Sequence, residues 1–316
     1  MSSDGKSEVS STNFSSSPWL LPEGVEEVLP PYAAVLERAR RSVLDLFAGW
    51  GYELVMPPFV EHLDSLLTGT GQDLELETFK LIDQMSGRLL GVRADMTPQV
   101  ARMDAHSLGR ASQPASPDTP SRLCYLGTVL RAIPDGMSAS RTPVQLGAEL
   151  YGHAGVESDC EVLCLLLETL CTLGVADVHV DLGHVGIFRS LARRAQLEPE
   201  TESLVHDALQ RKARPELEAL LAARNVASGE AERIIALTEL NGDASVLERA
   251  RALLDPGGDE LGGQLDAISG VAAEVERHRP ATQVHYDLAE LRGYRYHTGI
   301  VFAAFVPGHG EEIGRG

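Results

Sequence analysis

The sequence has 316 residues, 43% of them hydrophobic, with 27 lysines and arginines against 46 aspartates and glutamates. That length and apolar content sustain a buried core, either one large domain or a core carrying an insertion. A formal charge of −19 repels phosphate backbones and anionic lipid, so no nucleic-acid or membrane partner is expected. The nearest basic clusters, Arg38-Ala39-Arg40-Arg41 and Arg193-Arg194, fall in amphipathic helical contexts that read as solvated faces.

Residues 1 to 17, rich in serine, read as a disordered N-terminus without the apolar stretch of a secretory signal. No later apolar run is long enough to span a bilayer, and a cytoplasmic location is expected. Pro30-Pro31 precede a helix predicted over 32 to 48, where Val35, Leu36, Ala39, Val43, Leu46 and Phe47 recur at helical spacing. Gly49 and Gly51 end it, and Tyr52 to Pro58 reads as a strand closed by prolines, suited to an edge or a dimer seam. Phe79–Asp83 and Arg88–Arg93 flank Met85-Ser86-Gly87 as a hairpin. Thr97 is the expected N-cap, and Pro98 the first-turn residue, of a helix over 98 to 107. A polar loop follows over 109 to 121.

Leu126–Arg131 and Thr142–Gly152 then read as two strands joined by a loop, with Arg131 on the first. Positions i and i+4 of a strand share a face, so Gln145 and Glu149 converge while Leu146, Ala148 and Leu150 pack behind. A cation, an amide and a carboxylate placed this way suit a small zwitterion. A buried helix is predicted over 158 to 173 and a strand over 178 to 183. From 186 to 280 short Ala-, Leu-, Glu- and Arg-rich helices are broken at Pro256-Gly257-Gly258, which reads as a helical insertion. Strands resume at 283 to 288 and 299 to 305. Cys124, Cys160, Cys164 and Cys171 lack metal-ligand spacing, and the last three share a helical stripe with Leu163 and Leu167, so buried free thiols and no metal are expected.

This order resembles the catalytic core of class II aminoacyl-tRNA synthetases, and the histidyl enzymes most closely. The helix at 32 to 48 with the strand ending at Pro58 resembles motif 1, and Leu123 to Gly152, with Arg131 as its cation, resembles motif 2. Arg292-Gly293-Tyr294-Arg295-Tyr296-His297 resembles the family's histidine-specific Arg-Gly-Leu-Asp-Tyr-Tyr segment. The resemblance implies an α+β fold: a class II antiparallel sheet flanked by helices, formed by 18–185 and 281–316, with 186–280 inserted. Self-association through the motif 1 helix and strand is implied with it.

The departures separate the chain from the active enzymes. Ile133 stands where motif 2 has an acidic residue for ATP, and Arg295 and His297 replace an aspartate and a tyrosine; at Gly314-Arg315-Gly316, where motif 3 should start, the core reads as truncated, as in a fragment of a longer protein, and no anticodon-binding domain is expected. These losses fit the synthetase-like regulatory subunits of ATP phosphoribosyltransferase. The resemblance implies a non-catalytic protein without a cofactor, partnered by the short-form catalytic subunit and by L-histidine as effector. A histidyl-tRNA synthetase-like enzyme activating histidine with ATP is the alternative. The residues implied to hold histidine are Asp95, Thr97, Arg131, Gln145, Glu149, Arg292 and Tyr296.

Overall fold

A computed structural model describes residues 20–68, 72–108, 120–134, 140–255, 261–294 and 297–316. The expected disordered N-terminus, most of the loop after 109, the Pro256-Gly257-Gly258 break and Tyr296 lie outside the described residues.

Helix α1, Tyr32–Gly49, follows the prolines as expected, and Gly51, at a φ of +84° open to glycine, turns the chain out of it. The strand expected from Tyr52 to Pro58 shrinks to β1, Glu53–Leu54. The carbonyls of Pro57 and Pro58 accept instead from Arg93 Nη1 at 2.8 Å and Gln99 Nε2 at 2.8 Å, so side chains supply what a ladder would have. After β2 (Val60–His62) come α2 (Leu63–Leu66) and α3 (Gln72–Glu77), then the predicted hairpin, β3 (Lys80–Ile82) and β4 (Leu89–Val92). Helix α4, Thr97–Arg102, runs into a π-helical turn, Met103–Ser107.

Strands β5 (Ser121–Thr128) and β6 (Val144–Tyr151) form the long antiparallel pair, followed by α5 (Val156–Thr172) and β7 (His179–His184). The helices of the 186–280 stretch are α6 (Val185–Arg194), α7 (Pro199–Gln210), α8 (Arg214–Ala223) and α9 (Ser228–Ala236). Past a short strand β8 (Asn241–Gly242), α10 (Ser245–Leu254) and α11 (Gly262–His278) complete them. Strands β9 (Gln283–Asp287), β10 (Ile300–Phe305) and β11 (Gly314–Arg315) close the described chain.

Three sheets result, ordered β1-β5-β6, β2-β4-β3 and β11-β10-β7-β9-β8. Antiparallel pairing predominates, and β1–β5 and β7–β9 run parallel. One apolar cluster joins α5, β7, β9 and β10 to buried residues of every helix from α6 to α11, including Phe188, Leu209, Leu221, Ile234 and Ile268. The helical stretch therefore shares its core with the sheet it covers. Two small clusters flank the β5–β6 pair: Val43 and Phe47 of α1 meet Cys124 behind it, and Met96 and Val100 meet Leu123 and Tyr125 in front.

Behind β6, Leu146 and Ala148 pack as expected, whereas Leu150 lies outside that cluster, next to a bidentate Arg122–Glu161 pair at 2.6 and 2.7 Å. The cysteine stripe is corrected in one place. Cys160 and Cys164 are buried, but Cys171 is exposed because it sits in the last turn of α5 at the helix edge. Among the described residues no helix is long and apolar enough to cross a membrane.

Candidate ligand-binding site

The register of β5 on β6 sets Leu123, Tyr125 and Gly127 opposite Glu149, Gly147 and Gln145. Facing partners point to the same side, so the polar side chains of β6 and the Tyr125 ring share one face. Gly147 makes this possible, because a Cβ there would overlap the Tyr125 ring and hydroxyl. The ring lies across the strand and carries its hydroxyl to Glu149 Oε1, 3.1 Å away.

Helix α4 supplies the opposite wall. Gln145 accepts from the Met96 amide at 2.9 Å and donates to Asp95 Oδ1 at 2.7 Å, fixing both ends of its amide. Asp95 Oδ1 also accepts from the Thr97 amide at 2.9 Å. Thr97 is thus not the N-cap, which falls on Met96 with no side-chain cap; Thr97 is the first helical residue, and Asp95 meets its amide. The freed Thr97 hydroxyl shares a 2.7 Å hydrogen bond with the Tyr125 hydroxyl. Asp95, Thr97, Gln145 and Glu149 are therefore one connected network, with Tyr125 as the link that sequence reasoning missed. An aromatic residue alternating with Leu123 reads as core; only the register and Gly147 reveal its polar end.

The electrostatics of this network are one-sided. Burial pushes the Glu149 carboxyl up to about 7, with Asp95 adding to the rise and the Tyr125 and Thr97 hydroxyls opposing it. Burial, together with Glu149 and Asp95, raises the Tyr125 phenol well above its ordinary range. Among the described residues neither Asp95 nor Glu149 forms an ion pair; the guanidinium of Arg93, which lies against Gly127 opposite Gln145, donates instead to the carbonyls of Thr128 and Pro57. A buried carboxyl without a counter-charge, as at Glu149, favours protonation or a cationic ligand.

The two arginines stand elsewhere. Arg131 lies beyond the end of β5 rather than on it, in an isolated bridge with Thr78, and its Nε is 3.9 Å from Glu77 Oε2. Its backbone is tied to Arg141, amide to carbonyl at 2.9 Å and guanidinium to carbonyl at 3.0 Å. Ile133, two residues on, is 54% exposed. Arg292 pairs with Glu312 at 3.0 Å and Glu290 at 3.4 Å and lies over the Phe305 ring. Nearby, Arg189 of α6 donates to the carbonyls of Tyr294 and His297 at 2.7 and 2.9 Å and stacks on the Tyr294 ring. The Tyr294 hydroxyl donates to Glu202 of α7 at 2.6 Å, so two helices hold the segment that carries Arg292. A cleft of about 530 Å³, lined by residues that include Trp50, Cys160, Cys164 and Glu274, shares no residue with the network. Among the described residues no three His, Cys, Asp or Glu side chains are grouped to hold a metal ion.

The histidyl-tRNA synthetase family model matches residues 24–316. The ATP phosphoribosyltransferase regulatory subunit of Thioalkalivibrio sulfidiphilus is 57% identical over 298 residues, covering 94% of this chain and 74% of its own. The chain belongs to the family of ATP phosphoribosyltransferase regulatory subunits. Among solved structures, an ATP phosphoribosyltransferase regulatory subunit/histidyl-tRNA synthetase from Bacillus halodurans superposes with a TM-score of 0.81 at 25% identity, over 94% of this chain and 75% of that one. A chain of an ATP phosphoribosyl transferase complex from Thermotoga maritima shares the fold, with a TM-score of 0.62 at 18% identity over 85% of this chain and 87% of that one. The class II synthetase-like α+β fold is thus established for this member of the regulatory subunit family.

Proposed function

We propose that the chain is the non-catalytic regulatory subunit of a short-form ATP phosphoribosyltransferase, serving the first step of histidine biosynthesis and its feedback control by L-histidine in the cytoplasm. The observation that carries the ligand reading is the connected Asp95, Thr97, Gln145, Tyr125 and Glu149 network, which offers two carboxyls that no described cation pairs with. Asp95, Thr97 and Gln145 suit an ammonium, and Glu149 suits the N–H of an imidazole. Arg131 or Arg292 meets the ligand carboxylate, exchanging a glutamate partner for it, and Tyr296 is assigned to the same pocket by family resemblance.

Ile133 supports a sensing rather than an adenylating role, because an exposed aliphatic side chain offers adenine no acceptor. Membership alongside proteins named as regulatory subunits supports the catalytic partner. Histidine then regulates through linkage, by binding one state of the assembly more tightly than another.

Mixing the purified chain with a short-form catalytic subunit tests this directly. Transferase activity should appear only with both proteins and fall on adding L-histidine, while histidine-dependent ATP–pyrophosphate exchange by this chain stays at background. Absence of activation, or robust exchange, overturns the assignment.

A further inference from the structure

On the same face of β6, one closed-off polar atom lies outside the network. Tyr151 ends the strand two residues beyond Glu149, and alternation puts both side chains on one side. Its ring packs against the cluster of Met96, Val100, Leu123 and Tyr125. Its hydroxyl is shut off from solvent and makes no hydrogen bond among the described residues. Glu149 and Asp104 both act electrostatically on that phenol, so it lies within range of the pocket carboxyl and of the π-helical turn Met103–Ser107. Such turns recur at functional sites.

A buried hydroxyl without a partner costs about 1–3 kcal/mol, and folded chains keep few of them. Phenylalanine would fill the same space without that cost. The retained oxygen therefore points to a partner that arrives from outside.

We propose that Tyr151 is a ligand-contacting, specificity-determining residue of the histidine pocket, its hydroxyl donating to the bare ring nitrogen while Glu149 accepts from the ring N–H. This rests on the histidine reading given above. A neutral imidazole presents one donor and one acceptor, so a carboxylate and a phenol on one strand face match both. The pair reads the ring, leaving Asp95, Thr97 and Gln145 for the amino group.

Calorimetric titration of the full chain and of Tyr151→Phe with L-histidine and with L-histidinol, beside thermal unfolding of both proteins, tests the assignment. Histidinol keeps the ring and lacks the carboxylate. Tyr151→Phe should bind both compounds about five- to tenfold more weakly, with an unchanged or higher Tm. Equal affinity in the two proteins overturns the proposal, as does a loss accompanied by a lower Tm, which marks a structural hydroxyl. A loss confined to histidine moves Tyr151 to the carboxylate end and overturns the ring assignment. If the unsubstituted chain binds neither compound, the histidine reading itself fails and this inference with it.

Discussion

On β6 the carboxyl of Glu149 holds its proton to about pH 7, against an ordinary value of 4.5, because burial removes it from water. The native state therefore binds more protons than the unfolded chain between about pH 4.5 and 7, and stability falls as pH rises through that window. At about 1.4 kcal/mol per tenfold change in proton affinity, the loss amounts to about 3 kcal/mol. Urea denaturation at pH 5 and pH 8 should show this fall in the unsubstituted chain and a much flatter response in Glu149→Gln. An ionised Glu149 accepts a ring N–H better than a protonated one, so histidine affinity should rise as pH climbs through 7, which calorimetry at several pH values reads directly. Gln145 and Glu149 were legible as a converging pair because a strand alternates faces. Tyr125 and Tyr151 were not, since aromatic residues on alternating positions carry the same sequence signature whether they fill a core or present a hydroxyl.

Between elements, the hydrogen bonds that matter most are those from Arg189 to the backbone of the Arg292 segment. One guanidinium satisfies the Tyr294 and His297 carbonyls, tethering the described residues on both sides of positions 295 and 296 between β9 and β10. Charge-assisted bonds of this kind contribute about 1.5–3 kcal/mol each. Arg189→Ala should raise hydrogen exchange of the amides flanking the segment at least tenfold and weaken histidine binding, while exchange in β5 and β6 stays unchanged; Arg189→Lys should restore only part of the protection. The elements themselves were largely readable: α1, the β3–β4 hairpin, the β5–β6 pair and α5 all follow from spacing and turn residues. The misreadings arose where a distant side chain took over a local role, as when Arg93 and Gln99 met the carbonyls of Pro57 and Pro58 and left β1 with two residues.

At the scale of the molecule, an apolar surface stands out on the motif 1 side. Tyr32, Val35 and Leu36 of α1, with Leu54, Met56 and Phe59 after it, are all exposed, a concentration that monomeric proteins rarely present to water. This supports the proposed self-association through α1 and β1. Light scattering should give a dimer for the unsubstituted chain and a monomer for the double substitution Tyr32→Asp with Val35→Glu, with stability changed by no more than about 0.5 kcal/mol because neither residue is buried. The stretch from 186 to 280 was legible as helices but not as part of the main core, because amphipathic spacing shows that a helix has a buried face without showing what it is buried against. The cluster shared by Phe188, Leu209, Ile268 and Phe302 supplies that answer. Its consequence concerns engineering: a version cut down to the sheet alone would uncover Val180, Leu182 and Phe302 and precipitate. A minimal folded unit has to keep α6 to α11, and an inserted reporter belongs in an exposed helix connection such as Arg224-Asn225 rather than in their place.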